Sequence, residues 1–435
     1  MKYIKRVVDD ELNKRKEAFN AINIIGPKGC GKTRTAKERC KTIIEFQDEE
    51  KREGYLSVAE ISPKLFLNNK KPILFDEWQD APKIWGTIRK VCDDNPDSVG
   101  EYYLTGSSSR KVDTPHTGTG RITELTMYPM TLWETGESNG RISLSKLVED
   151  TSYEFEGALS SLSLEELFFV LCRGGWPRCM SIKNRNAQLE IAKDYYRQIC
   201  QTDISAIDGV KRNPEWVRTL LWSYARNMAT KAKKKSIYGD VKATQNVSDA
   251  TLDSYIEKLE ELFVIKDIDA WTPQIRSKTA IRNAKKHIFV DPSIAIAALG
   301  LSPDYFNNDL DLFGHAFENL VIRDLIVYAN AHNARILHYA DDTGLEADAI
   351  YQLEDGRYAL IEIKTGANKI TEAEKSLLKF RNVIVQHNEA VNNNLKHPGV
   401  VYREPSALII ICATAPIGYT TENGVKVVPI GCLKD

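Results

Sequence analysis

Hydrophobic and polar positions change their period twice along the chain. Up to about position 135, short apolar runs alternate with amphipathic segments, which predicts strands over 21–25, 55–59, 72–75, 101–105 and 122–125. Strands alternating with helices predict an α/β layer with a largely parallel sheet. From roughly 140 to 265 the pattern is helical, as in "EWVRTLLWSYARNMATKA". There, Leu252, Tyr255, Ile256, Leu259, Leu262 and Phe263 share one helix face, with Ser248 or Asp249 as its cap. A second α/β segment follows, with a helix over 312–331 and strands over 336–339, 346–352, 358–363 and 407–412. The Asn-rich "AVNNNLKHPG" reads as a loop.

A chain of 435 residues divides into two or three domains, here 1–138, 139–300 and 301–435. A net charge of −1 gives no global field for nucleic acid, so any such contact must come from local patches. The longest apolar run, 407–413, has strand length, so no membrane partner is expected. The start lacks a signal-peptide core, and the eight cysteines are scattered, with Cys172 and Cys179 outside metal-ligand spacing. Reduced thiols in a cytoplasm are the expectation.

The stretch "AINIIGPKGCGKTRT" carries the first chemistry. Strand residues Ile22, Ile24 and Ile25 run into Gly26-Pro27-Lys28-Gly29-Cys30-Gly31-Lys32-Thr33, a GxxxxGK[ST] loop between a strand and a helix. Its glycines let backbone N–H groups converge on phosphate oxygens. Lys32 reaches the β- and γ-phosphates of ATP, the Thr33 hydroxyl sits on Mg²⁺, and Arg34 follows as a further nucleotide contact. Cys30 occupies a variable loop position.

"KPILFDEWQD" places Asp76 and Glu77 at the end of an apolar strand, where a parallel sheet opens its nucleotide crevice. Asp76 is the candidate for the Mg²⁺ shell and Glu77 for polarising the attacking water. A helix N-cap is the plain alternative. Thr105 and Ser107 end the next strand and can meet the γ-phosphate or its water; turn chemistry explains them equally. Arg121, in "TGTGRITEL", can stabilise transition-state charge within the chain or across the contact of a homo-oligomer.

The order of "YIKR", "GPKGCGKT", "ILFDEWQDAP", "YLTGSSSR", "GRITELTMYPMTLWE", "RGGWP", "KKHIFVDPSIAIAALG", "GHAFENLV" and "EADAIYQLEDGRYALIEIKTG", closed by "VKVVPIGCLKD", resembles a family of prokaryotic AAA-type ATPases. Their C-terminal half is a domain of unknown function with a restriction-endonuclease-like core. The resemblance implies an N-terminal P-loop AAA-type ATPase domain, a helical and winged-helix middle, and a nuclease-like α/β end. In the middle, Lys231, Lys233, Lys234 and Lys235 read either as a DNA-docking run or as a solvated charge run, the latter favoured by the balanced net charge. "RGGWP" reads as a packing turn at Gly174 and Gly175.

In the last motif, Glu362 and Lys364 share one strand face. A two-residue turn at Asp355-Gly356 would set Asp348 opposite Ile363. A three-residue loop with Gly356 left-handed would pair Leu353 with Arg357 and set Asp348 opposite Glu362. In that register Asp348 and Glu362 can bind Mg²⁺, and Lys364 can orient water or stabilise phosphorane charge. Glu318 can complete the set from the preceding helix. Three functions follow: an ATP hydrolase that converts ATP to ADP and phosphate and carries a nuclease-type site for DNA or RNA; a nucleotide-dependent binding or regulatory protein whose nuclease core only scaffolds; and a winged-helix DNA binder.

Overall fold

The computed structural model describes residues 2–106, 118–273, 284–341, 343–393 and 399–435. Ser107 and residues 394–398 of the Asn-rich stretch lie outside them.

The first sheet has five parallel strands: β1 (Ala21–Ile25), β2 (Thr42–Glu45), β3 (Ile73–Asp76), β4 (Tyr102–Gly106) and β5 (Ile122–Thr126). Their order is β2-β3-β4-β1-β5. β1, β3 and β4 are buried along their whole length, as continuous apolar runs in a parallel sheet require. The expected strand over 55–59 is instead part of a helix, Arg52–Ile61. Tyr55, Leu56 and Ala59 recur at helical spacing and pack on the cluster around Phe46, Phe66 and Phe75, so the 3.6 period prevails over β-propensity. The strand the sequence reading lacks is β2, an edge strand of four residues.

The middle region is mostly helical. Ser248 caps the helix Asp249–Glu261 by accepting the Thr251 N–H, and the predicted apolar face is buried, with Phe263 at its margin. β6 (Ile142–Ser143) lies earlier, and an antiparallel pair follows the helix: β7 (Ile265–Ile268) with β8 (Lys286–Phe289). The turn at Gly174-Gly175 is a packing turn: a Cβ on Gly175 would stand 2.1 Å from the Met130 carbonyl oxygen.

The C-terminal sheet contains β9 (Arg335–Ala340), β10 (Glu346–Gln352), β11 (Tyr358–Lys364), β12 (Ala407–Cys412), β13 (Tyr419–Thr420) and β14 (Lys426–Pro429), in the order β13-β14-β12-β11-β10-β9. β15 (Leu433–Lys434) leaves it to pair with β6. The helix Leu310–Ala331 packs on one face of this sheet, within an apolar cluster shared with the middle region; the helix Ile370–Asn393 packs on the other. All eight cysteines are free. Among the described residues, no helix is long and apolar enough to cross a membrane.

Candidate functional site

Two sites take shape, one at each end of the chain. The first lies at the C-terminal edge of β1, β3 and β4. Gly26 opens the loop with φ +146°, and a Cβ there would meet the Met127 carbonyl oxygen at 2.1 Å. Only glycine lets the loop pass that close to the chain leaving β5. The helix Lys32–Lys37 follows. Lys32 is buried, and its Nζ donates to the loop's own carbonyls, Gly26 O at 2.8 Å and Pro27 O at 2.9 Å. Thr33 Oγ1 donates to Asp76 Oδ1 at 2.7 Å, and Thr105 Oγ1 donates to the same oxygen. Three predicted residues from three segments thus share one carboxylate. A Thr hydroxyl and a carboxylate at hydrogen-bond distance are the oxygen donors Mg²⁺ takes beside nucleotide phosphates, so the residues present fit that ion.

Glu77 stands beside them in the left-handed region, φ +53°, with its carboxylate bonded by the Gln79 side-chain amide. Such a conformation in a non-glycine residue is strained and characteristic of functional positions. Arg34 pairs with Glu38 at 2.6 Å along its own helix. It also lines a cavity of about 290 Å³ with Tyr3, Ile4, Arg6, Met130 and Pro177. The Cys30 side chain points into the core, so only its backbone serves the loop. Its carbonyl accepts from Arg6 Nη1 at 2.8 Å, and Arg6 Nη2 donates to Tyr128 O at 2.9 Å. Arg6 lies in the quoted "YIKR", but no spacing rule ties it to a loop 20 residues on.

Arg121 is not at this site. β5 runs parallel to β1 with Ile122 beside Ala21, whereas the loop leaves β1 after Ile25. Arg121 therefore sits at the opposite edge of the sheet, paired with Asp93 at 2.7 Å. A role at its own chain's phosphates is ruled out by strand direction.

The second site begins with the predicted three-residue loop. Leu353 N–H donates to Arg357 O at 2.8 Å, and Gly356 has φ +82°. The ladder then runs to Ala349 opposite Ile361. Between Ala347 and Ile350, β10 carries one residue more than β9, a bulge. The Ile363 N–H is left for the Asp348 carboxylate, which accepts it at 2.8 Å. The β10–β11 register is the one the three-residue loop predicts, and its count sets Asp348 opposite Glu362, one position beyond the last ladder pair. The two converge on Lys364, whose Nζ contacts Glu362 Oε2 at 2.5 Å and Asp348 Oδ2 at 3.4 Å. Ser376, from the opposite helix, donates to Glu362 Oε1 at 3.0 Å.

Glu318 approaches from the helix Leu310–Ala331 but is held by Lys286 of β8, 2.5 Å away. Lys286 also donates to the Asp348 carbonyl at 2.9 Å. Sequence reasoning missed Lys286 and Ser376; they come from segments whose local patterns announce only a strand and a helix. Burial raises Glu318 and Glu362, each to about 7, with the Asp348 charge adding to the rise. Burial also pushes Asp348 upward, but Lys286, Lys364 and the Ile363 N–H outweigh it and hold Asp348 below its ordinary value. Among the described residues, no three His, Cys, Asp or Glu side chains stand ready for a metal ion. Lysine ammonium groups occupy the positions next to these carboxylates, so the site does not fit Mg²⁺ as it stands.

Of the four lysines in the basic run, Lys231 pairs with Glu346 at 2.5 Å and Lys234 with Asp253 at 2.8 Å. Both pairs are solvent-exposed.

Residues 18–136 match the family model of an AAA domain. Residues 164–305 match a domain of unknown function (DUF8612), and residues 313–433 another (DUF4143). Among solved structures, a Walker-type ATPase of Pyrococcus abyssi is similar, at 13% identity and a TM-score of 0.41, covering 68% of this chain and 96% of that one. No curated protein matches the chain.

Proposed function

We propose that the protein binds ATP in the Gly26–Thr33 loop and hydrolyses it to ADP. The observation that supports this most is the sharing of Asp76 Oδ1 by Thr33 and Thr105 at the strand ends beside the loop. In this reading the loop N–H groups and Lys32 hold the phosphates. Thr33 and Asp76 would hold Mg²⁺, which neutralises phosphate charge when bound. Glu77 polarises the attacking water, and Thr105 helps orient it. The cavity lined by Ile4, Met130 and Pro177 takes the base. Arg121 keeps only a role across a subunit contact. Phosphate release by the full chain, with and without Mg²⁺, tests the proposal; a folded chain that binds neither ATP nor ADP overturns it.

A second reading concerns the regions 139–300 and 301–435, taken as a helical and winged-helix connector and a nuclease-type domain. It rests on Lys364 bridging Asp348 and Glu362 with Glu318 nearby. These groups would contact a phosphodiester of DNA or RNA, with Lys364 opposing its charge. Because the ammonium groups already neutralise the carboxylates, scaffolding is the competing use of the same core. Cleavage assays on DNA and RNA, paired with Mg²⁺ calorimetry, separate the two: cleavage with metal binding supports catalysis, and neither supports a scaffold.

A further inference from the structure

The phosphate loop is gripped by the middle region through a residue that the GxxxxGK[ST] pattern leaves free. Lys28 occupies one of the variable positions, and its Nζ lies 2.6 Å from Asp203 Oδ1. Asp203 closes the π-helical turn Ile199–Asp203, which continues the helix Arg185–Gln198. Wide turns of this kind recur at functional positions because they displace a side chain from regular helical register. The Asp203 side chain is 9% exposed, whereas that of Lys28 is 48% exposed. The carboxylate is therefore fixed by packing, and the lysine is the mobile partner.

A second contact reaches the same loop residue. The hydroxyl of the half-buried Tyr195 is approached by the Lys28 backbone N–H. The Tyr195 ring packs on Trp176, with centroids 4.4 Å apart, and the next residue, Pro177, lines the cavity beside Gly31. One face of the middle region thus touches the nucleotide site at three points: Pro177 at the cavity, Tyr195 at the loop backbone and Asp203 at the loop side chain.

We propose that Lys28 is a second phosphate-binding lysine of the loop, and that Asp203 competes with the terminal phosphate of ATP for it. The inference rests on the nucleotide-binding reading above. With no nucleotide, the carboxylate takes the ammonium group and the 185–203 helix is latched to the loop. The terminal phosphate carries more charge than a carboxylate and lies where the loop converges. Lys28 turns to it, and the latch opens. The middle region thereby responds to whether the site is filled, and Asp203 weakens ATP binding by the free energy of the ion pair it offers.

The test uses the full chain. Binding of ATP and ADP is measured by calorimetry, and hydrogen exchange is followed over 195–206. In the wild-type chain, ATP speeds exchange there and ADP does so less. Asp203→Asn keeps the shape and removes the charge: exchange is fast without nucleotide, and ATP binds about two- to fivefold tighter, the size of a half-exposed ion pair. Lys28→Gln also frees the helix, yet binds ATP more weakly because the phosphate contact is gone. A merely structural ion pair would move both variants in the same direction, and that result overturns the proposal, as does an Asp203→Asn chain unchanged in affinity and exchange. A wild-type chain that binds no nucleotide defeats the nucleotide-site reading itself.

Discussion

Lys286 and Glu318 form a 2.5 Å ion pair whose side chains are only 8% and 17% exposed. A lysine on a short strand of the middle region thereby supplies the counter-charge for a carboxylate on the helix under the C-terminal sheet. Removing one partner leaves the other buried and uncompensated. Lys286→Met is expected to destabilise the protein by about 3–5 kcal/mol, and adding Glu318→Gln to recover most of that loss. Denaturant unfolding of the two single variants and the double variant measures both; additive losses would show that the pair is not coupled.

Stability should also depend on pH through this cluster. Glu318 and Glu362 are raised from an ordinary value of 4.5 to about 7, chiefly by burial. Between those values the folded state holds protons that the unfolded state has released, so both groups lose stabilising effect as pH rises from about 4.5 to 7. Asp348, held low, acts in the opposite sense, its contribution fading as pH falls below its ordinary value. Glu318→Gln should flatten the decline between pH 4.5 and 7 in unfolding titrations, and an unchanged slope would remove Glu318 as a source.

Lys32→Ala is expected to abolish tight ATP binding while leaving the fold intact. The buried Nζ donates only to loop carbonyls, so its loss exposes no unpaired charge. Calorimetry on a variant with a native circular dichroism spectrum checks this; unchanged affinity would contradict it.

Glu77→Gln keeps shape and strain but removes the carboxylate. ATP binding should persist while turnover falls about 10²-fold or more, the typical loss for a general base. Wild-type phosphate release would take Glu77 out of the chemistry.

Gly175→Ala tests the turn that packs against the chain leaving β5. The new Cβ would press on the Met130 carbonyl, beside the bond from Met130 N–H to Gly175 O at 2.7 Å and the one from Gly175 N–H to the Asp291 carboxylate at 2.9 Å. Overpacking of this kind costs about 1–3 kcal/mol. A melting temperature equal to the parent's would show that the turn has slack.

Much of the architecture was readable along the chain. The bounds of β1, β10 and β12 follow from apolar runs and turn residues, and the phosphate loop from its glycines and lysine. The Gly356 loop followed from a choice between two short turns. These features depend on neighbours within a few residues, where periodicity and φ/ψ preference act directly. The helix over Tyr55–Ala59 marks the limit, since a short apolar run satisfies both periods and only packing on Phe46 and Phe66 decides between them.

The sequence by itself determined the phosphate loop, the acidic strand end at Asp76 and Glu77, and the hairpin that carries Asp348, Glu362 and Lys364. Tertiary structure alone placed Arg121 at the far edge of the sheet, because strand direction sets which end of β5 meets the loop. It alone turned the Asp348 carboxylate onto the Ile363 N–H, where the β10–β11 ladder ends. It also brought Lys286 to Glu318 and Asp203 to Lys28, across separations of 32 and 175 residues. Local spacing constrains a backbone over a turn or two. Which distant charges meet is set by how packed elements exclude water, leaving a buried group to find its partner wherever the fold delivers one.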